Sequence, residues 1–337
     1  MADKSELPLE RTSPPHGKPI RPTLKTIAEL SGFAVQTVSR ALGDAPDISA
    51  KTKAKIRQIA NDIGYVPNRA GVRLRTGKTN VISLILGTDN DVLSLTSRLI
   101  STISNALRET PYHLVMTPAF PDEDPLRAVR YIVENQTADA IIMNRIRPED
   151  PRVKYLMDKG FPFATHGRTI WSANHPYFDY DNEAFGDLAI ETLARRGRKK
   201  ILMLAPPFAE NYALDMLRGA QAAGRRHDLP ISVCEGITSD SHRNAIRSYF
   251  KQYMLNHPEI DALVIASPNA TMAAIAGMED AGRKLGPDID VVSKETVPLL
   301  DLFRPGILSI REDVTKAGLF LAKAAVAAVK NPDDPPM

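Results

Sequence analysis

Val35, Gln36, Ser39 and Arg40 fall on one side of the stretch AVQTVSRALG (34–43) when it is wound as a helix, opposite Ala34, Val38, Ala41 and Leu42. Those four side chains carry the chemistry that base edges require. Gln pairs through two hydrogen bonds with adenine and Arg with guanine, Ser reaches a phosphate or a base, and Val touches a thymine methyl. Any amphipathic helix meets the apolar half of this pattern, so its surroundings must decide. They are basic: from Lys18 to Lys78 twelve Lys and Arg stand against four Asp and Glu, a local +8 within an overall +3, which leaves −5 on the rest of the chain. A polyanion partner for this segment fits; a solvated surface is the alternative that charge alone leaves open.

The elements that must position these residues are three short helices. The first opens at Thr23 as N-cap, carries Leu24, Ile27 and Ala28 at helical spacing and stops at Gly32. The second runs from about Val35 to Leu42. The third is capped by Ser49 and shows Ile56, Ile59, Ala60 and Ile63 as one stripe before Gly64. Helix, glycine turn and a second helix whose first residues point outward is the helix-turn-helix arrangement. The following NRAGVRLRTGKT (68–79) holds only Val72 and Leu74 as larger apolar residues, too few for an isolated helix in water. Its Gly71, Gly77, Lys78 and Thr79 imitate a phosphate loop. However, five residues instead of four separate the glycines, and the segment precedes a strand, which excludes that chemistry.

From Val81 the pattern changes to short apolar runs, VISLIL, YHLVMT, DAIIM, FPFAT, ILMLA, DALVIA and IDVV, separated by helix-like segments near 95–109, 124–136, 150–159, 182–196, 210–227, 240–256 and 269–284. Such alternation predicts an α/β fold, with about nine strand candidates best divided between two doubly wound parallel-sheet lobes. In these sheets ligands sit beyond the carboxyl ends of the strands, and two lobes would turn those ends to a common cleft. Polar residues at strand ends are therefore the ligand candidates: Asp89, Asn144, Arg168, Asn211, Tyr212, Asn269 and Glu295. Carboxylates, amides and an Arg suit a hydroxyl-rich molecule, with Phe120, Trp171 or Phe208 available to stack on a sugar face. Each taken singly is also a plausible loop cap.

Cys234 is the one cysteine, so no intramolecular disulfide forms, and a lone Cys reads as a small buried hydrophobe. No apolar run approaches the ~18 residues of a membrane helix, and the polar, Pro-rich start is unlike a signal peptide, so a cytoplasmic protein with a loose tail is expected. The seven histidines are scattered, and no metal, nucleophile or phosphate motif appears. The expectation is a protein without cofactor or metal that is not an enzyme.

The segment TLKTIAELSGFAVQTVSRALGDAPDISAKTKAKIRQIANDIGYVPNRAGVRLRTGKT resembles the headpiece and hinge of the lactose-repressor (LacI/GalR) family of bacterial transcription regulators, with T-V-S-R-A-L, G-Y-x-P-N and L-R-T-G-K in the family's order and spacing. The likeness continues through YFDYDNEAFGDLAIETLARRGRKKILML, where Asp181-Asn182 resembles the entry to the family's second lobe. It implies a tail (1–21), a helix-turn-helix headpiece (22–67), a hinge helix or linker (68–79) and a two-lobed effector-binding and dimerisation domain of the periplasmic-binding-protein type (80–337). By the same resemblance Val35, Gln36 and Arg40 choose bases, Asn68 to Arg75 form the hinge helix, and Leu74 wedges between base pairs in the minor groove. The full DNA-contacting set is Thr23, Val35, Gln36, Thr37, Ser39, Arg40, Asn68, Arg69, Leu74 and Lys78. Gly71 stands where a better helix former is usual, so hinge order should depend strongly on DNA.

Arg168 and Glu295 match family ligand positions, whereas SKET (293–296) replaces the more frequent G-Y-D-N. The final KNPDDPPM lacks the last strand and arginine-containing tail frequent in the family, which implies a chain that continues or a second lobe closed differently. The implied function is a dimeric repressor on a near-palindromic operator in double-stranded DNA, controlled by a small carbohydrate effector between the lobes, with helices near 95–109 and 313–329 at the subunit contact. A cytosolic small-molecule binding protein with an incidental basic N-terminus is the alternative from the residues alone, and an α/β enzyme acting in the cleft is a third.

Overall fold

A computed structural model of the chain describes residues 22–66, 71, 73, 77–88 and 96–337. The chain divides into two compact units, Met1–Gly77 and Lys78–Met337.

In the first unit α1 (Leu24–Ser31), α2 (Val35–Leu42) and α3 (Ala50–Asp62) form as their signals dictate. The Thr23 side chain accepts the Thr26 amide in a capping box, Gly32 ends α1 at φ 76°, and Ser49 caps α3. Ile27, Val38, Ala41, Ile56 and Ala60 make the core, with Leu42 and the unanticipated Phe33 and Tyr65 packed against it. Ala34, expected to face that core, is instead the exposed N-cap of α2, because the cap residue stands outside the helical stripe.

The second unit is an α/β structure with two five-stranded sheets, parallel throughout. One has the order β2 (His113–Ala119), β1 (Val81–Gly87), β3 (Ala140–Met143), β4 (Phe163–His166), β5 (Tyr177–Phe178); the other β10 (Leu308–Arg311), β9 (Asp290–Glu295), β8 (Ala262–Ile265), β6 (Ile201–Leu204), β7 (Ile231–Val233). The two lobes thus repeat one winding. In the first lobe the central strand β3 is buried on both faces. Ala140 and Ile142 of β3 pack on α4 (Ser97–Leu107) and α12 (Val314–Lys330), while Ile141 and Met143 pack on α5 (Arg127–Asn135) and α6 (Pro151–Asp158). In the second lobe Ile201 and Met203 of β6 face α7 (Asn182–Arg195) and α8 (Asn211–His227), and Leu202 and Leu204 face α9 (Arg243–Asn256) and α10 (Pro268–Asp280).

α12 returns the chain to the first lobe, so residues 179–181 and 312–313 both cross between lobes. The two helices expected at a subunit contact, α4 and α12, bury their apolar faces on each other through Leu99, Ile103, Ala317 and Leu321. The strands β5, β7 and β10 and the short α11 (Leu300–Phe303) went unread in the sequence. Among the described residues no helix is long and apolar enough to cross a membrane.

Candidate functional site

Two regions have the geometry of a site, one in each unit. On α2, Val35 is 44% exposed and Gln36 and Arg40 are exposed, while Val38 and Ala41 are fully buried. The helix therefore packs with one face and presents the other. Thr37 and Ser39 are half-buried beside it. Arg40 donates to Asp47 at 2.6 Å, so its guanidinium is held by the loop that follows α2. In the same loop Asp44 is in the left-handed region (φ 59°), and hydrogen bonds from Lys53 and Arg57 hold its carboxyl below the usual range. Thr23 is committed to capping α1. Asn68, Arg69 and Leu74 lie outside the described residues, as does Asp89.

Lys78 is exposed, and the residues after it tether the chain to the first lobe. The Thr79 amide and hydroxyl donate to Asp139 Oδ1 at 2.7 and 2.8 Å, and the Asn80 amide donates to Oδ2 at 2.8 Å. This explains the Gly-Lys-Thr run that imitates a phosphate loop: its threonine binds an internal carboxylate.

In the second unit the carboxyl ends of both sheets meet around a cavity of about 130 Å³. The first lobe contributes Asn144 and Arg145 after β3, His166 and Gly167 at β4, and Asp179 and Tyr180 after β5. The second contributes Tyr212 on α8, Ser239 and Asp240 after β7, Ser267 and Pro268 at the start of α10, and Lys294 and Thr296 at β9. Asn182 and Glu312 come from beside the crossing segments. Lys294 Nζ sits 2.5 Å from Glu312 Oε1, donates to Asn182 Oδ1 at 2.6 Å, and lies 5.0 Å from the Phe185 ring centroid. Burial lowers the lysine and raises the glutamate, and each opposes the other's shift. Arg168 Nε donates to Asp179 Oδ2 at 2.9 Å. Arg145 Nε donates to Glu210 Oε1 at 2.9 Å, and its Nη2 reaches Asp240. Arg145 has φ 56°, a conformation that costs a non-glycine residue on the order of 1 kcal/mol and persists where surroundings fix it. The hydroxyls of Tyr180 and Thr296 are buried without a hydrogen-bond partner.

Every ion in this wall therefore has a counter-ion, while two hydroxyls do not. His166 stays neutral: burial, reinforced by the Lys294 charge, brings it from 6.5 to about 4. A histidine depressed in the folded state is protonated first in the unfolded chain. Its contribution is then complete above pH 6.5 and is lost as pH falls toward 4, about 3 kcal/mol over that window. Denaturant titrations from about pH 7 to about pH 4.5 should show this slope, and His166→Gln should flatten it; an equal slope in the variant refutes the assignment.

Of the effector residues expected from sequence, Asn144 and Tyr212 line the cavity. Arg168 stands one residue behind its wall, holding Asp179. Asn211 binds Asp215 with its side chain and donates its amide to Ile146 O at 2.9 Å, tying the lobes together without lining the cavity. Asn269 lies in the first turn of α10 next to the wall, and Phe120 is 46% exposed beyond the end of β2, outside it. Glu295 is displaced from the expected role for a clear reason: it is 1% exposed, and its Oε1 accepts the Leu299 and Leu300 amides at 2.7 and 2.8 Å, which organises the start of α11. Its neighbour Lys294 faces the cavity instead, because alternate strand residues point to opposite sides. Among the described residues no cluster of His, Cys, Asp and Glu could hold a metal ion.

The chain is similar to known proteins over nearly its whole length. Residues 79–330 match the model of periplasmic binding proteins and the sugar binding domain of the LacI family, and residues 23–68 match bacterial regulatory proteins of the lacI family. The HTH-type transcriptional regulator AglR of Rhizobium meliloti (strain 1021) is 29% identical over 326 residues, 93% of this chain and 89% of that protein. Among solved structures, a complex of the regulator CelR with cellobiose shares 21% identity over 94% of this chain and 96% of that one, TM-score 0.68. The lac repressor dimer bound to operator and the anti-inducer ONPF shares 20% over 93% and 94%, TM-score 0.78. The exposed polar face of α2, the two repeated lobes and the cavity between those lobes fit one family: the chain is a member of the lacI family of bacterial regulatory proteins, a transcriptional regulator with a helix-turn-helix DNA-binding headpiece and a sugar-binding domain.

Proposed function

We propose that this regulator is a repressor whose cavity takes an uncharged, hydroxyl-rich molecule, a neutral sugar or short oligosaccharide. The observation that carries this reading is the pairing of charges in and directly behind the wall. Arg145, Arg168 and Lys294 are all matched by carboxylates, so no cation is left over for a phosphate or a sugar acid, whereas the Tyr180 and Thr296 hydroxyls await partners. Tyr180 and Tyr212 offer aromatic faces to the hydrophobic side of a sugar ring. The cellobiose held by CelR is a ligand of this chemistry.

Residues 22–67 serve as the DNA-reading headpiece, 68–79 as the hinge, and 80–337 as the effector and dimerisation domain. A homodimer reads a near-palindromic operator, since protein two-fold symmetry is mirrored in half-sites; the lac repressor is a dimer on its operator. Val35, Gln36 and Arg40 choose bases, Thr23, Thr37, Ser39, Asn68, Arg69 and Lys78 hold the backbone, and Leu74 wedges in the minor groove. A ligand contacting both lobes favours one interlobe arrangement and so changes operator affinity, and DNA must change ligand affinity by the same factor.

Calorimetry of the full chain against neutral disaccharides, sugar phosphates and sugar acids tests the ligand class. Saturable binding of a neutral sugar alone is expected, and tight binding of a phosphorylated sugar contradicts it. Arg40→Ala should cost about 1–3 kcal/mol at the preferred base pair and relax base choice there, whereas Lys78→Ala should weaken all sequences alike. Anisotropy titrations on matched and single-mismatch duplexes separate the two.

A further inference from the structure

We infer that Arg145 latches the two lobes together without any ligand, and that Arg152 and Asp150 are the positioning residues that aim it. The Arg145 guanidinium leaves the first lobe just after β3 and binds Glu210 and Asp240, both of the second lobe. A fork that grips two carboxylates on the far side of a cleft constrains rotation as well as separation.

The backbone that aims this fork is itself clamped. Arg152 Nη2 donates to the carbonyls of Asn144 at 3.2 Å and Arg145 at 2.8 Å. The same guanidinium donates to both Asp150 oxygens, Nε to Oδ1 at 2.9 Å and Nη2 to Oδ2 at 2.7 Å. Asp150 is fully buried and also accepts the Arg147 and Arg152 amides at 3.1 and 2.9 Å. The loop 144–147 is therefore held from below by one buried ion pair, and Arg145 keeps its left-handed φ of 56° within that hold. Neither Arg152 nor Asp150 lines the cavity, so their effect on it passes through the backbone of Asn144 and Arg145 that Arg152 holds. The latch sets how often the lobes open, and with it the fraction of molecules that a ligand can enter or lock. This rests on the lobes moving as proposed above, but it is independent of which ligand they hold.

The test is a distance measurement by pulsed electron resonance on the full chain, without ligand, between spin labels on Lys154→Cys in the first lobe and Asn244→Cys in the second, both at exposed positions. Cys234 is buried and stays in place. The parent should give one narrow distribution. Asp240→Asn, which loosens the latch from the second lobe, and Arg152→Lys, which keeps the charge but loses the fork, should each move at least about half of the population to a longer, broader distribution. The double variant should open no further than the wider single one, since both act on one device. Parent-like distributions in both variants, with only a lower melting temperature, overturn the proposal. Opening by Asp240→Asn but not by Arg152→Lys overturns the role of the clamp.

Discussion

Lys294→Met should destabilise the second unit by about 3 kcal/mol, because it strands Glu312 in a buried place with no cation. Methionine keeps the packing against Phe185, so the loss reports the ion and not a cavity. For a unit of this size the melting temperature should fall by roughly 6–12 °C. The companion variant Lys294→Met with Glu312→Leu removes both charges, and burying apolar groups in place of an ion pair is often neutral or better. It should therefore regain stability while binding sugar more weakly, because two polar groups of the wall are gone. A double variant as unstable as the single one would show that the pair stabilises by its attraction, and that the stranded charge is not the cause.

Gly219→Val should have a comparable effect for a steric reason. Helices α7 and α8 meet backbone to backbone: a Cβ on Gly219 would lie 1.9 Å from the Glu183 carbonyl oxygen, and one on Gly186 would lie 2.1 Å from that of Met216. Neither oxygen can retreat without breaking its helix. The helices must separate, exposing the layer of Phe185, Ala189, Met216 and Ala220. Overpacking of this kind costs about 3 kcal/mol, and valine should cost more than alanine. Thermal unfolding of Gly219→Ala and Gly219→Val checks the order, and a wild-type melting temperature for both would contradict the close approach. Operator binding by the folded fraction should be altered as well, since Tyr212 of the cavity wall lies in the first turn of this same helix.

Much of this architecture was legible beforehand, and the reasons are local. The headpiece helices carry caps at Thr23 and Ser49 and stripes at helical spacing, so their bounds follow from the residues within them. The runs ILML and ALVI are apolar throughout because both faces of their sheet are covered. β5 and β7 escaped notice because YF and ISV are two and three residues long and only partly buried, too short to show a period. β10 is short as well, and LSIR alternates weakly.

The site was less legible than the fold. Asn144 and Tyr212 could be found because they follow recognisable strands. Lys294, Glu312 and Asn182 could not, since a buried charge looks like any surface charge until its distant partner is known, and Lys294 meets Asn182 across 112 residues. Glu295 matches a family ligand position at the end of its strand, but the sequence does not say which of two adjacent side chains there faces the cleft.

The central claim is that one chain reads DNA with its headpiece and lets a sugar in the cleft change that reading. The most direct measurement is the Kd of the full chain for an operator selected from random duplexes, by anisotropy, over a range of salt and with or without a saturating neutral sugar identified by the calorimetric panel. The account predicts a log–log salt slope of about −0.9 for each phosphate contacted and a shift of roughly 5- to 150-fold in Kd on adding the sugar. A salt-insensitive Kd, or one that the bound sugar leaves unchanged, would contradict it.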